Sequence, residues 1–201
     1  MNTELVVATG NPGKVREIRR VLEGLPIDLR TLEDFDPVPE PEEHGRTFAE
    51  NARAKARYYA SALSRLVVAE DSGLEIDALD GAPGVYSARF GLPGAPTYPE
   101  KFTLIYRLLT ERTGRVESTA RFVCCLALAA PGGVLFEAAG TVEGRIVEPP
   151  RGAGGFGYDP IFFYPPLGLT LAEVPAGHKE EVSHRGQAFR KLREYLERGA
   201  A

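Results

Sequence analysis

Short apolar runs and segments of helical periodicity alternate along the chain, and this pattern predicts an α/β protein. Apolar runs with the length of buried strands occur at Leu5–Thr9, Ile27–Leu32, Leu66–Ala69 and Ile161–Phe163. Two longer segments, at 116–130 and 134–147, are separated by Pro131, Gly132 and Gly133. The turn between them predicts an antiparallel hairpin of long strands.

Four segments carry apolar residues at the spacing of one helix face. Two of them open on a capping box, in which a threonine precedes a glutamate by three positions. Thr47 with Glu50 predicts a helix to about Leu63, and Thr97 with Glu100 predicts one through Leu109. The other two helices place apolar residues inward at Val15, Ile18 and Leu22 and at Phe189, Leu192 and Leu196. We expect one domain, residues 1–201, that can bury a proper core.

Composition and charge narrow the class of protein. The 201 residues carry 24 Lys and Arg against 28 Asp and Glu, a net charge of −4 that argues against a nucleic-acid binder. No apolar run has the length of a membrane span, and no signal peptide is recognisable at the N-terminus. Cys124 and Cys125 are adjacent and lack neighbours at metal-ligand spacing. We therefore expect a cytoplasmic protein without a membrane partner.

An acidic pair follows the apolar run Leu66–Ala69. The carboxyl ends of buried strands are where open α/β sheets bind their ligands. Glu70 and Asp71 would stand at such an end, with Ser72 and Gly73 turning the chain. Paired carboxylates suit Mg²⁺, although the pair equally fits the start of a solvated turn.

A glycine-containing turn joins the first strand to the first helix. Thr9, Gly10, Asn11, Pro12, Gly13 and Lys14 occupy it. A strand, a turn and a helix start in this order direct backbone N–H groups at an anion, as in phosphate sites. The spacing is not that of a Walker A loop, and an ordinary connection is the alternative. Thr9, Asn11 and Lys14 together favour the phosphate interpretation.

Only five of the basic residues are lysines, and three of them, Lys14, Lys55 and Lys179, lie in segments with candidate chemistry. Lys55 lies within the apolar stripe of the helix that starts at Thr47, so it either extends past the rim to solvent or faces a cleft and an anion. The acidic, proline-rich segment 36–43 before this helix reads as an exposed loop. Glu43, at its end, is the acid placed nearest the helix.

Glycines and aromatics alternate at 152–160. Phe156, Gly157, Tyr158 and Asp159 suggest a backbone that passes close to a flat ligand, since aromatic faces stack on bases and a carboxylate accepts from a base N–H. Packing of these aromatics in the core is the alternative. Farther on, Lys179, His184 and Arg185 are expected to cluster at a helix start that suits an anion.

Six motifs in order resemble the inosine/xanthosine triphosphate pyrophosphatase family. They are A-T-G-N-P-G-K at 8–14, T-F-A-E-N-A-R-A-K-A at 47–56, A-E-D-S-G-L at 69–74, G-A-P-G-V-Y-S-A-R at 81–89, G-G-F-G-Y-D-P-I-F at 154–162 and S-H-R-G-Q-A at 183–188. They span nearly the whole chain. Many relatives have aspartate where this chain has Glu70.

The resemblance implies a role for each matching residue. Asp71 would be the general base and, with Glu43 and Glu70, a ligand of Mg²⁺. Lys14 and Lys55 would assist catalysis at the triphosphate. Substrate contacts would come from the turn (Thr9, Gly10, Asn11, Pro12, Gly13, Lys14), from Ser72 and from the base platform (Phe156, Gly157, Tyr158, Asp159). Lys179, His184 and Arg185 would recognise the purine and its 6-oxo group.

The resemblance also implies an elongated mixed sheet with long antiparallel strands, flanking helices and two lobes around a central cleft. Its activity would be Mg²⁺-dependent hydrolysis of ITP, dITP and XTP to the monophosphate and pyrophosphate, which removes them from the nucleotide pool, in a homodimer. Two rivals stay open at this point: a protein that binds a triphosphate without cleaving it, and a pyrophosphatase for modified pyrimidine or other nucleotides.

Overall fold

A computed structural model of the chain describes residues 3–91 and 97–199. Within these residues the strands form one seven-stranded mixed sheet in the order β2-β1-β3-β4-β5-β6-β7. The strands are β1 (Thr3–Val7), β2 (Ile27–Thr31), β3 (Val67–Ile76), β4 (Ser118–Ala130), β5 (Gly133–Ile146), β6 (Phe162–Tyr164) and β7 (Leu169–Thr170). The α-helices are α1 (Pro12–Leu22), α2 (Phe48–Leu63), α3 (Tyr98–Thr113), α4 (Ala176–Val182) and α5 (His184–Glu197). The predicted α/β class with long strands and flanking helices is confirmed.

Strand direction changes across the sheet. β1 is parallel to both β2 and β3, whereas β6 is antiparallel to β5 and to β7. β4 and β5 are neighbours joined by a turn at 131–132, as the hairpin prediction requires. None of the described helices combines the length and apolarity needed to cross a bilayer.

The chain divides into two compact units. Unit 1 comprises Met1–Ser72, Cys124–Gly140 and Ser183–Ala201, and unit 2 comprises Gly73–Val123 and Thr141–Val182. The core of unit 1 includes Leu5, Ile18, Val68, Leu126 and Phe189. The core of unit 2 includes Leu74, Ile105, Phe122, Ile146 and Phe162. Each unit thus buries apolar residues of its own.

The capping boxes mark helix starts as predicted. Thr47 is the N-cap of α2, and its hydroxyl accepts from the Glu50 amide at 3.2 Å. The Glu100 carboxylate accepts from the Thr97 amide at 2.7 Å before α3. α3 continues one turn past the predicted end at Leu109, to Thr113. Gly114 caps the helix there with a left-handed φ of +74°, and its amide donates to the Thr110 carbonyl.

The prediction that the strand ends at Ala69 is wrong. β3 continues through Glu70, Asp71, Ser72 and Gly73 to Ile76, although its parallel pairing with β1 ends at Val68. Leu74 and Ile76 are fully buried, and this alternation keeps the strand extended. Gly73 is required for close packing rather than for a turn, since a Cβ there would meet the Gly84 carbonyl oxygen at 2.7 Å.

Candidate active site

The turn between β1 and α1 is organised by Asn11. Its side-chain oxygen accepts from the amides of Gly13 at 2.8 Å and Lys14 at 3.3 Å, while its own amide donates to the Thr9 hydroxyl at 3.2 Å. Pro12 begins the helix, where its missing N–H is not needed. The predicted strand, turn and helix start is confirmed, and it fixes the backbone from which Lys14 extends. Direct contacts of Gly10 and the rest of the turn with a phosphate stay predictions.

Glu70 lies in a buried ionic cluster of unit 1. One carboxylate oxygen is 2.7 Å from the Lys14 ammonium and 3.4 Å from an Arg185 guanidinium nitrogen. The other oxygen accepts from the Cys124 thiol at 3.4 Å. Arg185 also donates to Glu17 at 2.6 Å and to the Ser72 hydroxyl at 2.9 Å. Residues distant in sequence are therefore held together by one carboxylate and one guanidinium.

The charges in this cluster determine how its members titrate. Burial raises the pKa of Glu70, but the nearby Lys14 and Arg185 outweigh it and hold the pKa well below its ordinary value. Burial and the adjacent Glu70 raise the pKa of the Cys124 thiol. Glu70 is accordingly a permanent anion and Cys124 a neutral donor at physiological pH.

Asp71 points to a second group of residues in unit 1. One of its oxygens accepts from the Asn51 amide nitrogen at 2.9 Å, and the other lies 3.5 Å from the Lys55 ammonium. Burial raises the pKa of Asp71; Lys55 and Asn51 oppose the rise, and Glu43 and Glu70 add to it. A carboxylate whose pKa is raised is a stronger base than an ordinary aspartate, as a general base needs.

Lys55 faces the carboxylates rather than solvent. Its ammonium is 2.7 Å from a Glu43 oxygen, and only 13% of its side chain is exposed. The alternative in which Lys55 extends past the rim is thereby excluded. Asn51 is a site residue that the sequence did not predict. It precedes Lys55 by one helical turn on α2 and so lies on the same face of the helix, which is the signal that could have identified it.

The predicted metal ligands do not form a ready-made cluster. The part of the chain that the structure describes contains no group of three or more His, Cys, Asp or Glu arranged to hold a metal ion. Glu70 directs its oxygens at Lys14, Arg185 and Cys124. Glu43 and Asp71 instead both contact the Lys55 ammonium, and their hard oxygens fit a divalent cation. The arrangement favours these two over Glu70 as ligands.

A separate polar group in unit 2 surrounds Phe156. The Asp159 carboxylate accepts from the Lys179 ammonium at 2.6 Å and from the Phe156 amide at 2.7 Å. The same ammonium lies 4.8 Å from the centre of the Phe156 ring. Gly155 and Gly157 adopt positive φ angles of +67° and +69°, which the tight loop requires. Three of the predicted base-recognition residues are thus in contact.

Tyr158 does not share this arrangement. Its side chain is in the core of unit 2, where only 3% of the residue is exposed. Its hydroxyl donates to the Ser87 carbonyl at 2.9 Å, and its ring meets Tyr98 edge-on at 5.3 Å. The core-packing alternative is correct for Tyr158, because its hydroxyl finds a buried acceptor there.

The prediction that Lys179, His184 and Arg185 cluster at one helix start is wrong. Lys179 belongs to α4, in unit 2, whereas His184 and Arg185 form the first turn of α5, in unit 1. Ser183 separates the two helices because its hydroxyl accepts from the Gly186 amide at 3.0 Å and caps α5. Arg185 is 2% exposed, and its guanidinium contacts Glu70 and the other members of that buried cluster.

Comparisons with known proteins agree with the motifs. The profile of the Ham1 family matches residues 5–195. A dITP/XTP pyrophosphatase from Geobacter sulfurreducens is 48% identical over 194 residues, 96% of each chain. One from Listeria monocytogenes is 45% identical over 194 residues, which cover 96% of this chain and 95% of the relative. The structure of a HAM1 protein from Coxiella burnetii superposes with a TM-score of 0.89 at 37% identity and covers 98% of this chain and 99% of its own. The chain belongs to the Ham1 family.

Proposed function

We propose that this protein is a nucleoside triphosphate diphosphatase that hydrolyses inosine- and xanthosine-type triphosphates to the monophosphate and pyrophosphate. Relatives that align over nearly the whole chain are named dITP/XTP pyrophosphatases. The observation that carries the proposal is the buried contact of a base-like carboxylate with a lysine: Asp71 and Lys55 lie 3.5 Å apart, next to the Lys14–Glu70 pair. Binding alone would not need a carboxylate of raised pKa beside the cations.

The residues of unit 1 would act on the triphosphate. Asp71 accepts the proton of a water whose oxygen attacks the α-phosphorus, and the bond from that phosphorus to the bridging oxygen breaks to release pyrophosphate. Lys14 and Lys55 neutralise the charge that develops on the leaving group. Asn51 holds Asp71 by its hydrogen bond of 2.9 Å and keeps the second oxygen turned toward Lys55.

We propose Mg²⁺ as the cofactor, held by Asp71 and Glu43. When bound, it would polarise phosphate oxygens and help to orient the attacking water. Glu70 takes a different role from the one that the resemblance implies: it keeps the Lys14 ammonium and the Arg185 guanidinium in place through contacts of 2.7 and 3.4 Å.

Base recognition would use Phe156, Asp159 and Lys179. The Phe156 ring offers a face for stacking, and the Lys179 ammonium offers a donor to the 6-oxo oxygen of hypoxanthine or xanthine. Adenine carries an amino group at that position, so a donor would be left without an acceptor at a cost of about 1–3 kcal/mol. Selection against ATP by about 5- to 150-fold in kcat/KM follows.

A substrate panel tests the proposal. The purified chain is incubated with Mg²⁺ and ITP, XTP, dITP, GTP, dUTP or ATP, and pyrophosphate and orthophosphate are assayed separately. We expect pyrophosphate from ITP, dITP and XTP at much higher kcat/KM than from ATP. A chain that binds ITP without releasing pyrophosphate would be a nucleotide-binding protein, and a preference for dUTP would make it a pyrimidine nucleotide pyrophosphatase.

A homodimeric state, a cytoplasmic location and a single functional domain of residues 1–201 complete the proposal. They are supported by the resemblance and by the pattern of the sequence. Size-exclusion chromatography with light scattering tests the homodimeric state. We expect a mass twice the chain mass of 21.8 kDa, and a mass equal to that of one chain would contradict the dimer.

A further inference from the structure

The Lys55 ammonium occupies the place between two carboxylates that a bound cation would take. It lies 2.7 Å from a Glu43 oxygen and 3.5 Å from an Asp71 oxygen. We infer that the Lys55 ammonium occupies the metal position in the free protein. A divalent ion then binds between Glu43 and Asp71 only together with the triphosphate, which draws the ammonium away. The inference rests on the proposed function and adds to it an obligatory coupling of metal and nucleotide binding.

Charge explains why the ion alone binds weakly. The two carboxylates carry about two negative charges, and the ammonium already neutralises one of them. A divalent ion placed beside the ammonium would meet a like charge at contact distance in a site that is only partly exposed, since 13% of the Lys55 and 10% of the Asp71 side chain are accessible. Repulsion between close charges is strong where water is scarce. The free protein therefore holds its own cation.

A triphosphate removes this obstacle. Its phosphate oxygens supply the negative charge that an ammonium on a flexible four-carbon stem readily follows. Lys55 then leaves Glu43 and Asp71 for the phosphates, and both carboxylates become available to the ion. Because each ligand relieves a charge conflict for the other, the affinities for metal and nucleotide rise together and by the same factor.

Lys14 provides a matched comparison. It is also a lysine of unit 1 in contact with a buried carboxylate, but its partner is Glu70 at 2.7 Å. Glu70 remains paired with Arg185 when Lys14 is truncated. Lys14→Met removes the same charge and the same length of side chain without clearing the position between Glu43 and Asp71.

Mn²⁺ binding followed by electron paramagnetic resonance tests the inference without turnover. Wild type, Lys55→Met, Lys55→Gln and Lys14→Met are titrated with Mn²⁺ alone and with an α,β-methylene analogue of ITP, after correction for Mn²⁺ bound by the free analogue. We expect the wild type to bind Mn²⁺ at least tenfold more tightly with the analogue. Both Lys55 variants should bind Mn²⁺ alone at least tenfold more tightly than the wild type, and Lys14→Met should stay within about threefold.

Mn²⁺ affinity of the Lys55 variants equal to that of the wild type would overturn the inference. Far-ultraviolet circular dichroism identifies a variant that fails to fold, and the second Lys55 substitution then decides. Pyrophosphate release from ITP by the wild type is measured in parallel. If Lys55→Met binds Mn²⁺ tightly but the wild type releases no pyrophosphate, the displacement of Lys55 by the metal is supported and the proposed function is wrong. If the wild type is active but the Lys55 variants bind Mn²⁺ no more tightly than the wild type, the proposed function is supported and this inference is wrong.

Discussion

Replacement of Glu70 by glutamine tests whether the buried cluster of unit 1 depends on this carboxylate. Glu70 is 3% exposed and Arg185 2%, so the charges have almost no access to water. Breaking a buried ion pair by removing one partner costs about 3–5 kcal/mol, because the remaining charge stays buried. The glutamine oxygen can still accept a hydrogen bond, which puts the expected loss at the lower end, about 3 kcal/mol.

This loss is large enough to measure directly. For a chain of this length each kcal/mol shifts the melting temperature by about 2–4 °C, so Glu70→Gln should melt about 6–12 °C below the wild type at neutral pH. Glu143→Gln is the control, since Glu143 is 67% exposed and pairs with Arg121 at 3.2 Å. An exposed pair contributes less than about 1 kcal/mol. Urea unfolding of both variants gives the free-energy differences.

The pH dependence provides a second readout on the same variants. Burial raises the pKa of Glu70 in the folded protein, but Lys14 and Arg185 outweigh burial and lower it. The contribution of Glu70 to the unfolding free energy is therefore fully present above the unfolded pKa of about 4.3, and it is lost as the pH falls through the folded pKa. The gap in unfolding free energy between wild type and Glu70→Gln should therefore narrow below about pH 4. A gap no larger than that of the Glu143 control at neutral pH would refute the reasoning.

Three further experiments separate effects on packing from effects on substrate binding. Gly73→Ala forces a Cβ against the Gly84 carbonyl at 2.7 Å and should lower the unfolding free energy by about 1–3 kcal/mol. Gly132→Ala is the control, since a Cβ there would have no atom within 4 Å, and it should change the unfolding free energy by no more than about 0.5 kcal/mol. Equal stabilities of the two variants would contradict the close packing at Gly73. Tyr158→Phe leaves the Ser87 carbonyl without its donor, so the unfolding free energy should fall by about 1–2 kcal/mol. The KM for ITP should not change, and a raised KM would show that Tyr158 contributes to base recognition. Phe156→Ala should raise the KM for ITP about tenfold or more through the lost stacking face, and an unchanged KM would remove Phe156 from base recognition.

Local signals in the sequence were sufficient for most elements of the fold. The capping boxes at Thr47 and Thr97 specify helix starts because their hydrogen bonds involve residues three positions apart. The end of β3 was misplaced because Ser72 and Gly73 resemble a turn, while the reason for the glycine is the distant Gly84. A sequence does not show which segment will pack against a glycine.

The candidate site was predictable in its residue types but not in its pairings. The motifs located Lys14, Lys55 and Asp71, and the structure brings all three into unit 1. The partners of Arg185 come from α1 and β3, more than a hundred residues earlier in the chain, so no spacing rule connects them. The core position of Tyr158 likewise depends on a carbonyl 71 residues away.

The position of bond cleavage is the most direct test of the account. A single turnover of ITP in water enriched in heavy oxygen, analysed by mass spectrometry, shows which product receives the water oxygen. If Asp71 activates water for attack at the α-phosphorus, the label appears in the monophosphate and not in pyrophosphate, and Asp71→Asn binds ITP but forms neither product. Label in pyrophosphate, or turnover by Asp71→Asn at the wild-type rate, would contradict the account.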